Sequence, residues 1–403
     1  MEVDQKSGAF REFKEAGLDV HRQVNNKANE YIDLARLATP NPLRSEYVGR
    51  GMAGPHTRAV LDRYMTALQA GEINTEHGYD EDIISTTVVK ELVDTMGVKQ
   101  LVIVPTGTAA NLDLISSFVS SAEDPMAIKF FACTTEHTVN YEAKMLAKAG
   151  ISADKTTLLP ARAEGDGLMD LETLNTHLPL EGEFIFQIAI PTGEGVVPPI
   201  EDFKAMVALV KSRGGKFLLD GARLTNALVY WQLELADLKD LGVDGFTLGT
   251  SKKGGLAEVV GIYDEKAAKL LPEEAKSFGH IHSKTAPLAL STGVFLNTDL
   301  WKAEAKSENK SAQEFARLVI EMGVEPQFNV NANMVFLSID PDVLTILEED
   351  PSFGGVYSDY GPGANVSRIM FTGFQPPEWP QKVAEALQRA LIQAQRPKEE
   401  SKE

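Results

Sequence analysis

Cysteine is almost absent from this chain, which carries a single one, Cys133. One thiol excludes a disulfide within the chain and a zinc site built from cysteines, and we expect Cys133 to be a buried strand residue. Long apolar runs are also missing, since none approaches the ~20 residues that a membrane-spanning helix needs. The first residues, MEVDQKSGAFREFKEAG, lack the apolar core of a secretory signal. These absences predict a soluble, cytoplasmic protein.

Positively charged residues are also fewer than negatively charged ones. The chain has 39 Lys and Arg residues against 58 Asp and Glu residues, which gives a formal net charge of −19. Nucleic acids and anionic membranes bind to positive surfaces, so the composition predicts neither as a partner. A small anionic ligand needs only a local positive pocket and stays a candidate.

The length of 403 residues, 43% of them hydrophobic, allows two or three domains with a sizeable core. Composition changes along the chain suggest the divisions. We expect an N-terminal arm at 1–36, a large domain at 37–290, a small α+β domain at 291–395 and a disordered tail at 396–403.

Short apolar runs alternate with amphipathic, helix-like segments through the predicted large domain. The runs are rich in Val, Ile and Phe and occupy 101–104, 127–132, 184–190, 216–220, 245–250 and 259–263. Runs that are apolar on both faces and separated by helices are typical of a mostly parallel sheet covered by helices. The sequence therefore predicts an α/β fold with its ligand site at the carboxyl ends of the strands.

The first candidate site is the turn Thr106-Gly107-Thr108, which follows the run 101–104 and opens a helix-like segment. The free N–H groups and the positive dipole end of such a helix attract anions, and the two hydroxyls add donors. This pattern predicts a phosphate cradle. An ordinary helix N-cap is the alternative, because threonine is common there.

The second and third candidates also follow buried runs. Asp220, ahead of Gly-Ala-Arg223, needs a cationic partner, which is either a protonated ring nitrogen of a cofactor or Arg223 itself. Lys252 and Lys253 lie between hydroxyl residues and glycines, where a desolvated lysine can form a Schiff base with a carbonyl. A basic surface turn is the alternative for these lysines.

The three candidates together predict a site for pyridoxal 5′-phosphate. A phosphate cradle holds one end of that cofactor, a lysine forms a Schiff base with its aldehyde, and an aspartate keeps its ring nitrogen protonated. Asp220 lies 32 residues before Lys252, each at the end of a predicted strand. No separate motif predicts a metal, since His280 and His282 have no Cys or acidic cluster near them.

The sequence from LRSE at 43 to VSRIM at 366 resembles the family of low-specificity threonine aldolases and aromatic amino acid β-eliminating lyases, which are fold-type-I pyridoxal-phosphate enzymes. The segments PTGTAANL, EHTVNYEA, DGARLTNAL and SKKGG resemble that family's motifs. The resemblance implies a fold-type-I transferase-like α/β fold and a homodimer or homotetramer. The N-terminal arm is then a candidate for wrapping the partner subunit.

The resemblance also implies roles for individual residues. It selects Lys252, rather than Lys253, as the lysine that holds the cofactor, with Asp220 on the ring nitrogen and His137 stacked on the ring. The implied cofactor contacts are Thr106, Gly107, Thr108, His137, Asp220, Arg223, Ser251 and Lys252, and the implied substrate-carboxylate contacts are Ser45, Arg223 and Arg368. Lys284 is a weaker candidate for a contact with the cofactor phosphate, and Tyr79 and His77 are weaker candidates for lining the pocket.

One departure from the family pattern concerns the base. Thr192 stands where many of these aldolases have a second histidine, so Glu194, His77 or a water becomes the candidate base. The resemblance implies a lyase that cleaves the Cα–Cβ bond of a β-hydroxy-α-amino acid to glycine and an aldehyde. β-Elimination, transamination or racemisation is the alternative within the cofactor class, and a non-catalytic regulatory or scaffolding protein is the alternative outside it.

Overall fold

Seven strands form the main sheet of the computed structural model, which describes residues 79, 81–298, 300–349, 366–373 and 375–394. All six predicted runs are strands. The strands are β1 (Gln100–Val104), β2 (Lys129–Cys133), β3 (Thr156–Leu159), β4 (Phe184–Ala189), β5 (Gly215–Asp220), β6 (Gly245–Gly249) and β7 (Glu258–Ile262). Their order is β1-β7-β6-β5-β4-β2-β3, in which β7 pairs antiparallel with β1 and β6 and all other pairs are parallel. The predicted arm, the predicted tail, Ser45 and His77 lie outside the described residues.

The strand that the sequence did not predict is β3. Its sequence, TTLL, has only two apolar residues, and three of its four positions are at least partly exposed. It forms because β2 offers a free edge, with Phe130 to Cys133 pairing in parallel with Thr156 to Leu159. Pairing of this kind leaves little trace in a short sequence.

Helices cover both faces of this sheet. They are α1 (Ile83–Met96), α2 (Gly107–Ser121), α3 (His137–Asn140), α4 (Ala143–Lys148), α5 (Leu171–His177), α6 (Ile200–Ser212), α7 (Leu224–Trp231), α8 (Glu265–Ser277) and α9 (Ala286–Leu296). Alternate residues of β5 point to opposite faces, so Phe217 packs in one apolar cluster with Phe203, and Leu218 in the other with Ile115. Cys133 is buried in β2, as predicted. The predicted mostly parallel α/β sheet is confirmed.

The elements after residue 290 include a second sheet of two antiparallel strands. They are α10 (Leu300–Glu321), β8 (Met334–Ser338), α11 (Pro341–Glu349), β9 (Val366–Met370) and α12 (Trp379–Ala394). The predicted boundary at 290/291 falls inside α9, and the division into domains stays a prediction. A 3₁₀-helix, Leu235–Leu241, lies between α7 and β6. Among the described helices, none combines the length and the apolar character needed to cross a bilayer.

Candidate active site

Two glycines bring the carboxyl ends of β5 and β6 together. The N–H of Gly249 donates to the carbonyl of Gly221 at 2.9 Å. A Cβ on Gly221 would lie 2.0 Å from the Thr247 carbonyl oxygen, and a Cβ on Gly249 would lie 2.3 Å from that of Ala222. Only hydrogen fits at either position, so the end of β5, with Asp220, lies directly beside the end of β6.

Asp220 ends β5 as a buried carboxylate with several donors around it. Asn111 Nδ2 donates to its Oδ2 at 3.0 Å, and the Ala222 N–H donates to its Oδ1 at 3.0 Å. The Thr247 hydroxyl lies 3.5 Å from the same Oδ1. These contacts from β6, α2 and the following turn fix the orientation of the carboxylate.

Lys252 lies in the one-turn 3₁₀-helix Ser251–Lys253, called the lysine turn below, which follows β6. Burial lowers the pKa of Lys252 to about 8, and the nearby positive charges of Arg223 and Arg368 act in the same direction. Asp220 and Glu258 oppose this shift. A lowered pKa leaves a larger fraction of the amine neutral near neutral pH, which is the form that attacks a carbonyl.

Lys253 has a different environment, although it is the next residue. Its side chain is 1% exposed, and its Nζ donates to Asn226 Oδ1 at 2.6 Å and forms an ion pair with Glu308. Burial lowers the pKa of Lys253 as well, while the Glu308 carboxylate opposes that shift, and the amino group is already engaged by Glu308 and Asn226. The structure thus supports the predicted choice of Lys252, and that role stays a prediction.

The two predicted arginines approach Lys252 from different parts of the chain. Arg223 precedes α7, and its Nη2 lies 3.6 Å from the Met370 sulfur on β9. Arg368 is on the same strand β9, opposite Phe336 of β8. Both guanidinium groups are close enough to shift the pKa of Lys252. Two guanidiniums beside a nucleophilic amine can bind the carboxylate of an amino acid.

The predicted phosphate turn, residues 106–108, forms the N-terminus of α2. Thr106 is the N-cap, and its side-chain oxygen accepts from the Ala109 N–H at 3.1 Å. Thr108 donates its hydroxyl to Glu142 at 2.6 Å. A Cβ on Gly107 would meet no atom within 4 Å, so there is open space at the positive end of the helix. The turn is an N-cap with open space at the helix end, and its role as a phosphate cradle stays a prediction.

Two residues that the sequence did not single out connect this turn to Asp220. Glu142 is buried, and its two carboxylate oxygens accept from Thr108 and, at 3.2 Å, from Asn111 Nδ2. Asn111 donates from the same nitrogen to Asp220. The signal was present, because Asn111 and Glu142 stand inside the PTGTAANL and EHTVNYEA motifs. Their contacts span 31 and 109 residues of sequence, so the motifs alone did not reveal them.

His137 begins α3 and lies beside Glu142. Its Nδ1 is 3.6 Å from Glu142 Oε1, and its ring centroid is 5.0 Å from that of Tyr141. The His137 side chain is 52% exposed, so about half of its surface is accessible. This position next to the phosphate turn is compatible with ring stacking, which stays a prediction.

The hydroxyl of Ser251 donates to Glu258, whose other oxygen accepts from the Thr250 N–H at 2.7 Å. Glu258 therefore fixes the start of the lysine turn, and Ser251 uses its hydroxyl there in this structure. Because Glu258 stands on β7, the antiparallel strand also helps to place Lys252.

Of the weaker candidates, Lys284 and Tyr79 are among the described residues and His77 is not. Lys284 is exposed, and Tyr79 lies under the ammonium of Lys276 at 5.4 Å from the ring centroid. His280 contacts Asp113 at 2.7 Å. Within the described ranges no group of three His, Cys, Asp or Glu side chains has the arrangement of a metal site.

The loop after β4 contains Thr192, at the position where many of the aldolases have a second histidine, and the buried Glu194. Thr192 is buried, and its hydroxyl donates to the Asp166 carbonyl at 2.7 Å, so it has a structural role. Burial raises the pKa of Glu194 to about 7, and its Oε2 has no hydrogen-bond partner among the described residues. A Cβ on Gly167, at φ +79°, would lie 2.2 Å from that oxygen. A glycine is required here because the backbone covers Glu194 closely.

The buried carboxyl group of Glu136 interacts electrostatically with both Glu194 and Asp220. Burial raises its pKa to about 8, and the negative charges of Asp220 and Glu194 add to that shift. Its Oε1 accepts from the Ala189 N–H at 2.9 Å, at the end of β4. The loop carboxyl Glu194 therefore belongs to the same strand-end region as Asp220.

The donor set fits pyridoxal phosphate. The open helix end at Gly107 suits a phosphate, the buried Asp220 suits a protonated ring nitrogen, and Lys252 supplies an amine with a lowered pKa. Phosphate and ring sites are joined by the Glu142–Asn111 contacts, so one bound molecule can engage both.

Comparison with known proteins agrees with this geometry. A low-specificity L-threonine aldolase from Pseudomonas sp. (strain NCIMB 10558) is 28% identical over 251 residues, covering 60% of this chain and 70% of that protein. A threonine aldolase structure from Leishmania major superposes with a TM-score of 0.69 at 19% identity, covering 86% and 98% of the two chains. Serine palmitoyltransferase from S. paucimobilis, with bound pyridoxal phosphate and myriocin, gives 0.60 at 16% identity, covering 83% and 84%. These two structures show that the fold is shared.

The family assignment rests on a longer stretch of sequence than any one motif. The model of the family described as "Beta-eliminating lyase" matches residues 55–340, well over half of the chain. That range contains the phosphate turn, His137, Asp220 and the lysine turn. The chain belongs to the beta-eliminating lyase family.

Proposed function

We propose that this protein is a pyridoxal-phosphate-dependent lyase that cleaves the Cα–Cβ bond of β-hydroxy-α-amino acids to glycine and an aldehyde. The observation that carries the proposal is the setting of Lys252, whose pKa is lowered to about 8 by burial and whose charged neighbours are Asp220, Arg223 and Arg368. The relatives named threonine aldolases support the choice of reaction.

Each residue of the site has a definite task in this proposal. Lys252 binds the cofactor through its neutral amine, and Asp220 holds a proton at the ring nitrogen. Bound pyridoxal phosphate supplies an electron sink for the charge left when a bond to Cα breaks. Arg223 and Arg368 bind the α-carboxylate, and that orientation determines which bond at Cα lies in position to break. Ser45 is proposed as a further carboxylate contact and lies outside the described residues.

Glu194 is the proposed base for the β-hydroxyl. Cleavage of Cα–Cβ requires a proton to leave that hydroxyl, and a carboxyl with a pKa of about 7 is suited to accept it. The acid form cannot accept a proton, so the active form increases as the pH rises through 7. The Oε2 atom of Glu194 lies buried beneath the Gly167 backbone, and no described residue donates to it.

Glu194→Gln should lower kcat by about 100-fold, since general bases contribute roughly 10²–10⁴. It should also abolish the rise of kcat with pH near 7, because the amide does not titrate. The control is Asp113→Asn on α2, another buried carboxyl, whose pKa is raised to about 8 by burial. In Asp113→Asn, kcat should still rise with pH near 7. If kcat of Glu194→Gln also still rises there, the base is another group.

Arg368→Lys should fold and bind the cofactor, yet lose ~2 kcal/mol of transition-state binding, roughly 30-fold in kcat/KM. A planar guanidinium holds a carboxylate with two parallel hydrogen bonds, which an ammonium does not reproduce. The loss should be the same for every α-amino acid substrate, whatever its side chain.

The matched control for Arg368 is Arg317→Lys, on the exposed face of α10 beside Glu314 and Glu321. That change should stay within ~0.5 kcal/mol in stability and leave kcat/KM unaltered. Unchanged kcat/KM in Arg368→Lys would show that the carboxylate is bound elsewhere.

A panel of β-hydroxy-α-amino acids that includes serine, with alanine added as a compound without a β-hydroxyl, tests the reaction. Aldehyde, ammonia and 2-keto acid are measured separately for each compound. The proposal expects aldehyde and glycine from the β-hydroxy compounds. β-Elimination is the second candidate, because Thr192 replaces the family histidine, and it would release ammonia and 2-keto acid instead. The homodimer or homotetramer and the cytoplasmic location stay predictions.

A further inference from the structure

The ion pair between Lys253 and Glu308 is the most enclosed charge cluster of the described residues that the proposed reaction does not use. Both side chains are 1% exposed. A buried ion pair is often no more stabilising than apolar residues of the same size, so stability alone is a weak reason for it. Its connections suggest another role.

Glu308 stands on α10 and uses both carboxylate oxygens. Its Oε2 accepts from Lys253 and, at 2.9 Å, from Asn226 Nδ2. Its Oε1 accepts from the Gly373 N–H at 3.0 Å. One carboxylate therefore joins three segments that are distant in sequence.

Each of these three segments carries one charged group of the site. Lys253 is bonded directly to Lys252 in the lysine turn. Asn226 is on α7, and its backbone N–H donates to the Arg223 carbonyl at 2.9 Å.

The third segment is the chain that leaves β9. Gly373 follows this strand, which carries Arg368, and a Cβ on Gly373 would lie 3.0 Å from the Glu304 Cγ on α10. The preceding Phe371 is fixed by two hydrogen bonds to Asn333, at 2.9 and 2.8 Å. The backbone leaving β9 is therefore held by Asn333 and packs closely against α10.

We propose that Glu308 is a positioning residue that sets the distance between the Lys252 amine and the two arginines, and thereby the preference for ligands that carry an α-carboxylate. The inference rests on the proposed function for the roles of Lys252, Arg223 and Arg368. It adds that the Glu308 carboxylate fixes the spacing between Lys252 and the arginines through the three segments that it joins. In this proposal Glu308 contacts neither substrate nor cofactor.

The test compares two amines that differ only by a carboxylate. Glycine and methylamine are titrated into the holoenzyme, and each dissociation constant is read from the change in cofactor absorbance. The ratio of the two dissociation constants measures how much the carboxylate of glycine contributes to binding. Neither ligand has a β-carbon, so the result does not depend on Cα–Cβ cleavage, and failure of the proposed reaction would be seen separately.

The double variant Lys253→Met/Glu308→Leu removes both charges and roughly keeps the volume. We expect a melting temperature near that of the parent protein, with the preference for glycine over methylamine reduced at least tenfold. Methylamine binding should change little, because it does not use the arginines. Glu308→Gln is used if the double variant does not fold, because the amide keeps an oxygen that can accept from the Gly373 N–H. In this variant the preference for glycine over methylamine should fall several-fold.

The matched control is Lys216→Met, which breaks a 2.7 Å ion pair with Asp264 near the opposite end of β5. It should leave the glycine preference at the parent value. An unchanged preference in the double variant, or in Glu308→Gln where that variant is used, would overturn the proposal. A loss of the same size in the control would also overturn it, since the effect would then reflect general destabilisation.

Discussion

Lys252→Ala should leave no covalent cofactor adduct after borohydride reduction and should reduce kcat by at least about 1,000-fold, as expected for loss of a covalent catalytic residue. Burial lowers the pKa of this amine, and its charged neighbours are those that a cofactor and an amino acid require. Peptide mapping of the reduced protein identifies the modified lysine directly.

The neighbouring lysine supplies the control for this experiment. Lys253→Met should keep the adduct on residue 252, because the Lys253 ammonium is committed to Glu308 and Asn226. Lys253→Met leaves Glu308 without its cation, so a lower melting temperature is expected. An adduct that persists in Lys252→Ala and disappears in Lys253→Met would reverse the assignment.

Asp220→Asn should still bind the cofactor through the phosphate turn but lose about 100-fold or more in kcat. The amide has no negative charge to hold a proton on the ring nitrogen, and removing one well-placed electrostatic group commonly costs 10²–10³. Hydrogen bonds from Asn111 and the Ala222 N–H fix the orientation of this carboxylate.

Asp244→Asn is the matched control for Asp220. Asp244 is also buried, precedes β6, and accepts from the Phe217 N–H at 2.9 Å, near the amino-terminal end of the sheet. This substitution should affect stability and leave kcat unchanged. A near-normal kcat in Asp220→Asn would remove that residue from the mechanism.

The parts of the site that the sequence predicted are those encoded locally. An apolar run followed by Thr-Gly-Thr predicts a strand and a helix N-terminus, and α2 does begin at Gly107. Asp220 ends β5, and the lysine turn follows β6, as the runs indicate. Because parallel strands place their carboxyl ends at one edge, local patterns were enough to bring these groups together.

The parts that the sequence did not predict depend on distant contacts. SKKGG alone left two lysines open, and the resemblance to a family chose between them. The structure adds a physical reason, since Lys253 meets Glu308 across 55 residues of sequence. Asn111 reaches Asp220 across 109 residues, and β3 forms by pairing with β2 rather than from its own propensity. Contacts of this kind have no signature in a window of neighbouring residues.

The central claim is that the bond broken is Cα–Cβ, and carbon tracing in one substrate tests it most directly. L-Threonine labelled with ¹³C at Cβ is incubated with the holoenzyme, and the products are followed by NMR. If Cα–Cβ is the bond broken, labelled acetaldehyde and unlabelled glycine form in equal amounts. Label retained in a four-carbon 2-keto acid, with release of ammonia and no acetaldehyde, would contradict it.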